Sequence, residues 1–394
     1  MTLFGISVYP DLKPQEEIKD YMFLAAQHGF KRVFSSMFNV EGDNDEVLAV
    51  FRQLIENAHE AGLEVSLDVN PECFKRFGAS PDDLSVFHHI GVDILRLDID
   101  NGLEDDLKLL KNPYGIAIEF NASALPVSMI NELVHRGVEP SSVLVCHNFY
   151  PQRYTGMKWQ RFLEINEELK KIGVQVGAFV SSNVEPSHGV WQATQGLCTV
   201  EQHRGQPIDW QVREMLLTGN VDTIFIGNAY ASVQEFEDIA EVMQEVTPDP
   251  ERHLIIKVMQ EFGAVSNERF YPQHKVRVEV SKDITELEQE ILYEFFPHSD
   301  VGDSSEWLWR SRMPRFLYSK QGVPVRLDAR SVIDPGTVVI VNNNYQHYAG
   351  EVQVVLLPIE NDGTRNIVGH LRENEFSFFQ KIPSQQTILF LEQK

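Results

Sequence analysis

The sequence predicts a parallel (β/α)8 TIM barrel followed by a smaller, mainly β C-terminal domain, and three observations carry that prediction. Short apolar runs rich in Val, Ile and Leu recur eight times, each followed by a stretch with helical spacing. Several of these runs are apolar at nearly every position, as strands covered on both faces must be. Late in the chain the pattern changes to alternating strands separated by turn signals. Eight strand–helix units in about 245 residues suit the barrel. An open doubly wound sheet is the runner-up, but it often carries a Gly-rich nucleotide turn, and the sequence has no GxGxxG.

The runs, in order, are LFGISVY from Leu3, RVFSS from Arg32, LEVSLDV from Leu63, VDILRLDI from Val92, GIAIEF from Gly115, SVLVCH from Ser142, VQVGAFV from Val174 and VDTIFIG from Val221. Between them lie one-sided helices. Ile18, Tyr21, Met22 and Ala25 fall at i, i+3, i+4 and i+7, and Phe236, Ile239, Ala240 and Met243 follow similar spacing. Glycines such as Gly62 and Gly173 stand just before the next strand, where helices end.

HLIIKVM, KVRVEV, TVVIVNNN, GEVQVVLLP and TILFLEQ form the later strand series, punctuated by Asp334-Pro335-Gly336 and Asn361-Asp362-Gly363. Two prolines in Thr247-Pro248-Asp249-Pro250 stop the preceding helix. The expected domains are therefore residues 1–248 for the barrel and 249–394 for the β domain.

With 58 Asp plus Glu against 34 Lys plus Arg, the 394-residue chain carries a formal charge of −24. Such a field repels polyanions, so neither nucleic acid nor an anionic membrane surface is an expected partner. A small anionic substrate remains open wherever Arg and His converge. The N-terminal MTLFGISVYPDLKP lacks a basic region followed by a long apolar one, so no secretory signal is expected. Cys73, Cys146 and Cys198 are odd in number, widely spaced and free of CxxC. That disfavours a disulfide framework or structural zinc and fits a reducing cytoplasm.

In barrels of this kind the active site lies at the C-terminal ends of the strands. Here those ends are strongly polar: Ser7 and Tyr9, Ser35 and Ser36, Asp68 and Asn70, Asp98 and Asp100, Glu119 and Asn121, His147 and Asn148, Ser181 to Asn183, and Asn228. Glu119 sits inside an otherwise apolar strand, where an unpaired carboxylate is costly. It is either a functional group with a raised pKa or half of a structural ion pair. Arg96 and Asp98 either form a charged row at the site or neutralise each other as a core pair. His147 is a candidate base or ligand, or a hydrogen-bonded scaffold residue. His88 and His89 lie on a helix among apolar residues and are read as packing or surface groups. With no HxH or HExxH, no metal and no cofactor is expected.

Two long loops add to the site. HNFYPQRYTGMKW follows the sixth strand and is dense in aromatic and basic groups. The seventh is followed by SSNVEPSHGVWQATQGLCTVEQHRGQPIDW, a length that suggests a lid or binding loop. Arg153, His203 and Arg204 offer positive charge in an acidic protein, and Tyr150, Tyr154, Trp159 and Trp191 offer flat faces for a sugar ring. The alternative is that Arg153 and Arg204 form surface salt bridges.

The strings GISVYP, IEFNAS, HNFYPQRYTG, LCTVEQHRG and DTIFIGNAYAS together resemble the bacterial 6-phospho-N-acetylmuramidases, glycoside hydrolase family 170, long filed as outer-surface or uncharacterised proteins. The resemblance spans nearly the whole chain, and HNFYPQRYTG is its most specific element. It implies a cytoplasmic, exo-acting hydrolase that cleaves 6-phospho-N-acetylmuramyl-N-acetylglucosamine to 6-phospho-N-acetylmuramate and N-acetylglucosamine during peptidoglycan salvage. The partner is thus a small phosphorylated amino-sugar disaccharide. A cyclophilin-like C-terminal domain is also implied.

The resemblance carries no catalytic assignment, so the catalytic choices rest on barrel position. Familiar barrel glycosidases end the fourth and seventh strands with carboxylates, and here the seventh ends in Ser181-Ser182-Asn183. Glu119 is expected as general acid with Asp98 and Asp100 in support. Either the two sides form an acid/base pair, or the substrate's acetamido group attacks while one carboxylate orients it. Tyr9, His147, Asn148, Arg153, Glu201, His203, Arg204 and Asn228 are expected to bind substrate, Glu201 being a further candidate acid. Other readings are a metal-dependent sugar-phosphate isomerase or aldolase and a carbohydrate-binding surface protein. In the β domain, Arg310, Arg312 and Arg315 are either a basic cluster or a solvated face. A dimer contact through that domain, hence a homo-oligomer, is compatible with the sequence.

Overall fold

Eight strands close a parallel barrel in chain order: β1 (Leu3–Ser7), β2 (Arg32–Ser36), β3 (Glu64–Val69), β4 (Ile94–Leu97), β5 (Ala117–Asn121), β6 (Leu144–Cys146), β7 (Gln175–Val180) and β8 (Thr223–Ile226). Each begins within two residues of the apolar run that predicts it. The computed structural model describes residues 2–10, 13–38, 40–99, 101–186, 188–190, 195–243, 274–295, 297–326, 328–384 and 386–393. The chain divides into two compact units, Met1–Met243 and Gln244–Lys394.

Helices cover the barrel by the stripes their spacing predicts. The helix Gln15–Gln27 buries Ile18, Tyr21, Met22 and Ala25, and Val233–Met243 buries Phe236 and Ile239. The barrel centre is filled by aromatic rings. Phe34, Phe179 and Phe225 lie 5.1 to 6.3 Å from one another. Gly5 makes this filling possible, since a Cβ there would stand 2.3 Å from the Phe225 ring. His88 and His89 end a short helix and are exposed.

The second unit holds a seven-stranded sheet in the order β10-β17-β9-β16-β13-β14-β11. Its strands are β9 (His274–Val280), β10 (His298–Ser299), β11 (Leu308–Ser311), β13 (Thr337–Val341), β14 (Val352–Val355), β16 (Arg365–His370) and β17 (Thr387–Glu392). A two-stranded ribbon pairs β12 (Val332–Ile333) with β15 (Ile359–Glu360). The sheet is antiparallel except where β17 runs parallel to β9. KVRVEV, TVVIV, VQVV and TILFLE form strands as their alternation predicts, whereas HLIIKVM and the Thr247–Pro250 boundary lie outside the described residues. Among the described residues no helix is long and apolar enough to cross a membrane.

Candidate active site

Parallel register sets three charged residues side by side across the barrel: Asp68 on β3 faces Arg96 on β4, which faces Glu119 on β5. All three are buried. A buried charge is tolerated only with a partner, and this row resolves into two separate pairs. Arg96 Nη1 donates to Asp68 Oδ1 at 2.5 Å, while its Nη2 donates to Asn148 Oδ1 at 2.6 Å. Glu119 turns the other way and accepts from Arg32 Nη2 at 2.9 Å. Arg32 also donates to Ser66 Oγ and Thr223 Oγ1 and lies 5.0 Å over the Phe225 ring.

The aromatic filling decides which pair can meet a ligand. A cavity of about 290 Å³ opens at the strand ends, lined by Asp68, Asn70, Arg96, Asp98, Asn148 and the rings of Phe34, Phe38, Phe149 and Phe179. Phe34 and Phe179 thus form its floor. Glu119 is absent from this lining, and its side chain is 1% exposed. The expected general acid thus stands outside this cavity, in an ion pair with Arg32 that leaves its Oε2 without a hydrogen bond among the described residues. Asp98 does line the cavity, accepting from Asn121 Nδ2 at 3.3 Å through Oδ1. Asp100 lies outside the described residues.

Asp68 is the carboxyl group that sequence reasoning placed at a strand end and then passed over. Burial pushes its pKa up to about 6. Arg96 opposes that shift, and the charges of Asp98 and Glu119 reinforce it. Oδ2 has no hydrogen bond among the described residues. The signal available in sequence was the pairing of LEVSLDV with VDILRLDI, because parallel neighbours bring Asp68 beside Arg96.

A second cavity, of about 520 Å³, lies among the loops after β6 and β7, with Arg153, Tyr154, Asn183, Glu201, Arg204 and Gln206 in its lining. Arg204 is fully engaged. Its Nε and Nη2 grip Glu201 at 2.8 and 2.9 Å, and Nη1 and Nη2 also donate to the carbonyls of Gln195, Gly196 and Tyr150. Glu201 in turn accepts from the Tyr154 and Gly156 amides, both at 2.7 Å. Those contacts, the Arg204 bonds foremost, hold its carboxyl down at about 2. It is thus a carboxylate and not an acid, and the pair laces the two loops together. Gly156 is required there, since a Cβ would stand 2.5 Å from Glu201 Oε2.

Arg153 differs from Arg204. Its backbone N–H is fixed by Gln195 Oε1 at 2.8 Å, and its exposed guanidinium makes no ion pair or hydrogen bond among the described residues. Tyr154 beside it is 90% exposed with φ of 70°. Trp159 instead packs on Phe162 at 5.6 Å, and Trp191 lies outside the described residues. The described parts of the loop after β7 are held by isolated backbone bridges, Cys198 with Tyr150, Val200 with Met157, and His188 with Ala229.

Four other expected ligands serve the scaffold. Tyr9 donates to Gly227 O at 2.6 Å, tying the end of β1 to the end of β8. His147 is fully buried between Ser123 Oγ at 3.2 Å and Asn166 Oδ1 at 2.7 Å, and burial lowers its pKa to about 4. Its neutral ring holds Ser123, which accepts the Asn148 amide at 2.9 Å and so sets Asn148 toward Arg96. His203 is buried against Glu214 at 3.1 Å and packs on Trp159 and Trp210. Asn228 bonds the Ser181 hydroxyl and the Ser182 backbone. Polar residues at strand ends look alike in sequence, and only the direction of each side chain separates cavity from scaffold. Among the described residues no three His, Cys, Asp or Glu converge as a metal-ligand set.

What the first cavity offers is a pair of carboxyl groups, one on β3 and one just past the end of β4, a fixed cation behind one of them, an amide, and aromatic walls. That set suits proton transfer to a glycosidic oxygen against a ring packed on phenyl faces. Two family models match the chain: 6-phospho-N-acetylmuramidase, N-terminal, over residues 4–241, and 6-phospho-N-acetylmuramidase, C-terminal, over residues 274–391. The crystal structure of an uncharacterized B. cereus protein is similar over 100% of both chains, at 31% identity and a TM-score of 0.83. That of a conserved Enterococcus faecalis protein of unknown function shares the fold at 22% identity and a TM-score of 0.67, covering 100% of this chain and 97% of that one. No curated protein matches the chain.

Proposed function

We propose that this chain, which belongs to the 6-phospho-N-acetylmuramidase family and is a glycoside hydrolase, cleaves 6-phospho-N-acetylmuramyl-N-acetylglucosamine between its two sugars in cytoplasmic peptidoglycan salvage. The observation that carries the chemistry is the shared cavity of Asp68 and Asp98. A carboxyl held near 6 keeps a minor but far larger protonated fraction near neutral pH than an ordinary aspartate, and is still a strong enough acid to give its proton up. In this reading Asp68 protonates the leaving oxygen from Oδ2. Arg96 fixes the carboxyl through Oδ1 and then stabilises the anion left behind. Asp98 is the second carboxylate, facing the positive charge that develops on the sugar ring.

Arg153 is the proposed anchor for the 6-phosphate, because its guanidinium lines the loop cavity and is uncommitted among the described residues. The loop after β6 connects the two regions: Asn148 and Phe149 line the first cavity, and Arg153 and Tyr154 the second. A cytoplasmic setting is supported by the three cysteines, all free thiols. The test is hydrolysis of the phosphorylated disaccharide beside its unphosphorylated twin, with and without chelator, followed by mass spectrometry. Cleavage of the phosphorylated sugar alone, unaffected by chelator, is the expected result. No cleavage of either sugar would overturn the substrate assignment.

A further inference from the structure

We propose that the β domain carries a second ligand site, for an uncharged pyranose sugar, in the cavity walled by Tyr345, Tyr348, Arg310, Gln353 and Arg365. The cavity has a volume of about 380 Å³, at the small end of the roughly 300–1,000 Å³ usual for ligand pockets. It lies wholly within the second unit, and the hydrolase reading makes no use of it.

Beneath the cavity a buried polar chain fixes the floor. Glu351 is fully buried, and its carboxylate takes Arg310 Nε at 2.7 Å and Nη2 at 3.0 Å. Gln353 donates to the same carboxylate at 2.8 Å and accepts Arg365 Nε at 2.8 Å on its other side. Burying a carboxylate and an amide is costly unless both are bonded. This chain satisfies them by holding two guanidinium groups in one frame, and the basic cluster expected around Arg310, Arg312 and Arg315 is accordingly committed to carboxylates. Arg312 pairs with Asp303 at 2.7 Å, and Arg315 approaches Glu351 at 3.6 Å.

Charge on the cavity's own lining therefore cancels. Arg310 and Arg365 face Asp303 and Asp362, and the N–H groups that remain are spare hydrogen-bond donors rather than a strong anion trap. Sugar hydroxyls both donate and accept, and planar Arg, Asp and Gln groups fixed in one frame match that double demand. The apolar face of a pyranose needs an aromatic surface. Tyr345, 54% exposed, lies 5.1 Å from Tyr348, whose ring is itself held between Arg310 at 5.5 Å and Arg315 at 4.9 Å. The two walls are also tied: Asn342 and Asn344 both donate to the carbonyl of Gly363, in the turn before β16. A site pre-set in this way loses little entropy when a sugar binds.

The experiment is hydrogen exchange by mass spectrometry on the full chain, titrated with N-acetylglucosamine, N,N′-diacetylchitobiose, cellobiose and glucose 6-phosphate. The expected result is protection of residues 341–365 by a neutral sugar, with affinity lost about tenfold or more in Tyr345→Ala. Hydrolysis by the barrel should be unchanged in that variant. Tyr345 is exposed, so the variant folds, and Arg365→Ala gives an independent check from the opposite wall. No protection of this segment by any neutral sugar, or protection by glucose 6-phosphate alone, would overturn the proposal. So would loss of hydrolysis in Tyr345→Ala, which would make the cavity part of the barrel's own site.

Discussion

Two buried arginine–carboxylate pairs among the barrel's described residues, Arg96 with Asp68 from the neighbouring strands β4 and β3 and Arg32 with Glu119 reaching across from β2 to β5, stand in different surroundings. Arg32 with Glu119 lies in the interior, where Arg32 stacks on Phe225 and the carboxylate is outside the lining of the cavity at the strand ends. Arg96 with Asp68 opens onto a cavity floored by Phe34 and Phe179. Both pairs are charge-neutral and nearly inaccessible to bulk solvent. What separates them is which side of the phenyl rings they occupy, and that alone decides whether a carboxyl group can reach a substrate.

The sharpest way to break the comparison is to remove one oxygen's charge from each pair. Asp68→Asn should lower kcat by about 10²–10⁴, the usual range for a positioned acid, and Asp98→Asn should do likewise. Glu119→Gln should leave turnover close to that of the parent. If Glu119→Gln alone abolished cleavage while its fold remained intact, the interior pair would be the catalytic one. The pH profile gives a second view of Asp68. An acid must be protonated to act, so kcat/KM should fall as pH rises through about 6, and that limb should vanish in Asp68→Asn. The sign for stability is the same. Because the folded pKa is raised, Asp68's contribution is full below the ordinary carboxyl range and is lost as pH rises through about 6.

The interior pair should show its worth in stability. Glu119→Gln leaves Arg32 buried with a neutral partner, and breaking such a pair costs about 3–5 kcal/mol, measurable in urea. Replacing both, as Arg32→Met with Glu119→Leu, should recover most of that loss. A double variant no more stable than the single would show that the pair's remaining bonds to Ser66 and Thr223 matter more than its charge.

These contrasts mark where sequence reading reached its limit. The eight strands were legible because apolar runs covered on both faces leave a strong pattern, and the β domain was legible where strands alternate. RNIVGH, which forms β16, lacks clean alternation and went unnoticed. The polar ring at the strand ends was also visible, yet its members could not be sorted. Glu119 stood out as a carboxylate in an apolar strand, which is also how an interior ion pair looks. Asp68 did not stand out, because its raised pKa arises from burial, reinforced by the charges of Asp98 just past β4 and Glu119 on β5 and opposed by Arg96. Tyr9, His147, His203 and Asn228 proved to be bonded inward, a matter of side-chain direction that spacing does not encode. Asn148 and Arg153 came from HNFYPQRYTG, the same string that carried the family resemblance.

A smaller effect is expected at the phosphate. Arg153→Ala should raise KM for the phosphorylated disaccharide by about 10–100-fold, the worth of a charge-assisted pair at roughly 1.5–3 kcal/mol, while kcat changes little. Binding of the unphosphorylated sugar, read as inhibition of that cleavage, should be indifferent to the substitution. Equal losses of binding for both sugars would place the phosphate elsewhere and leave Arg153 as a general wall of the cavity.

The least effect belongs to the lacing of the two loops, where the comparison extends to a third pair. Arg204 with Glu201 is saturated where the interior pair is not, since Arg32 Nε and Glu119 Oε2 have no hydrogen bond among the described residues, and it sits at the rim with bonds that run to backbone. Glu201→Gln keeps the shape and removes the charge, so the Tyr154 and Gly156 amides that it accepts should exchange roughly tenfold faster. Global stability should barely move. Since the carboxyl is depressed to about 2, its contribution is present above the ordinary glutamate range and is lost as pH falls through about 2. Acid should therefore loosen these two amides before it unfolds the barrel. Unchanged exchange at both amides would mean that the strand-like bridges of Tyr150 with Cys198 and Met157 with Val200 hold the loops without the ion pair. Arg153 would then owe its position to backbone pairing alone.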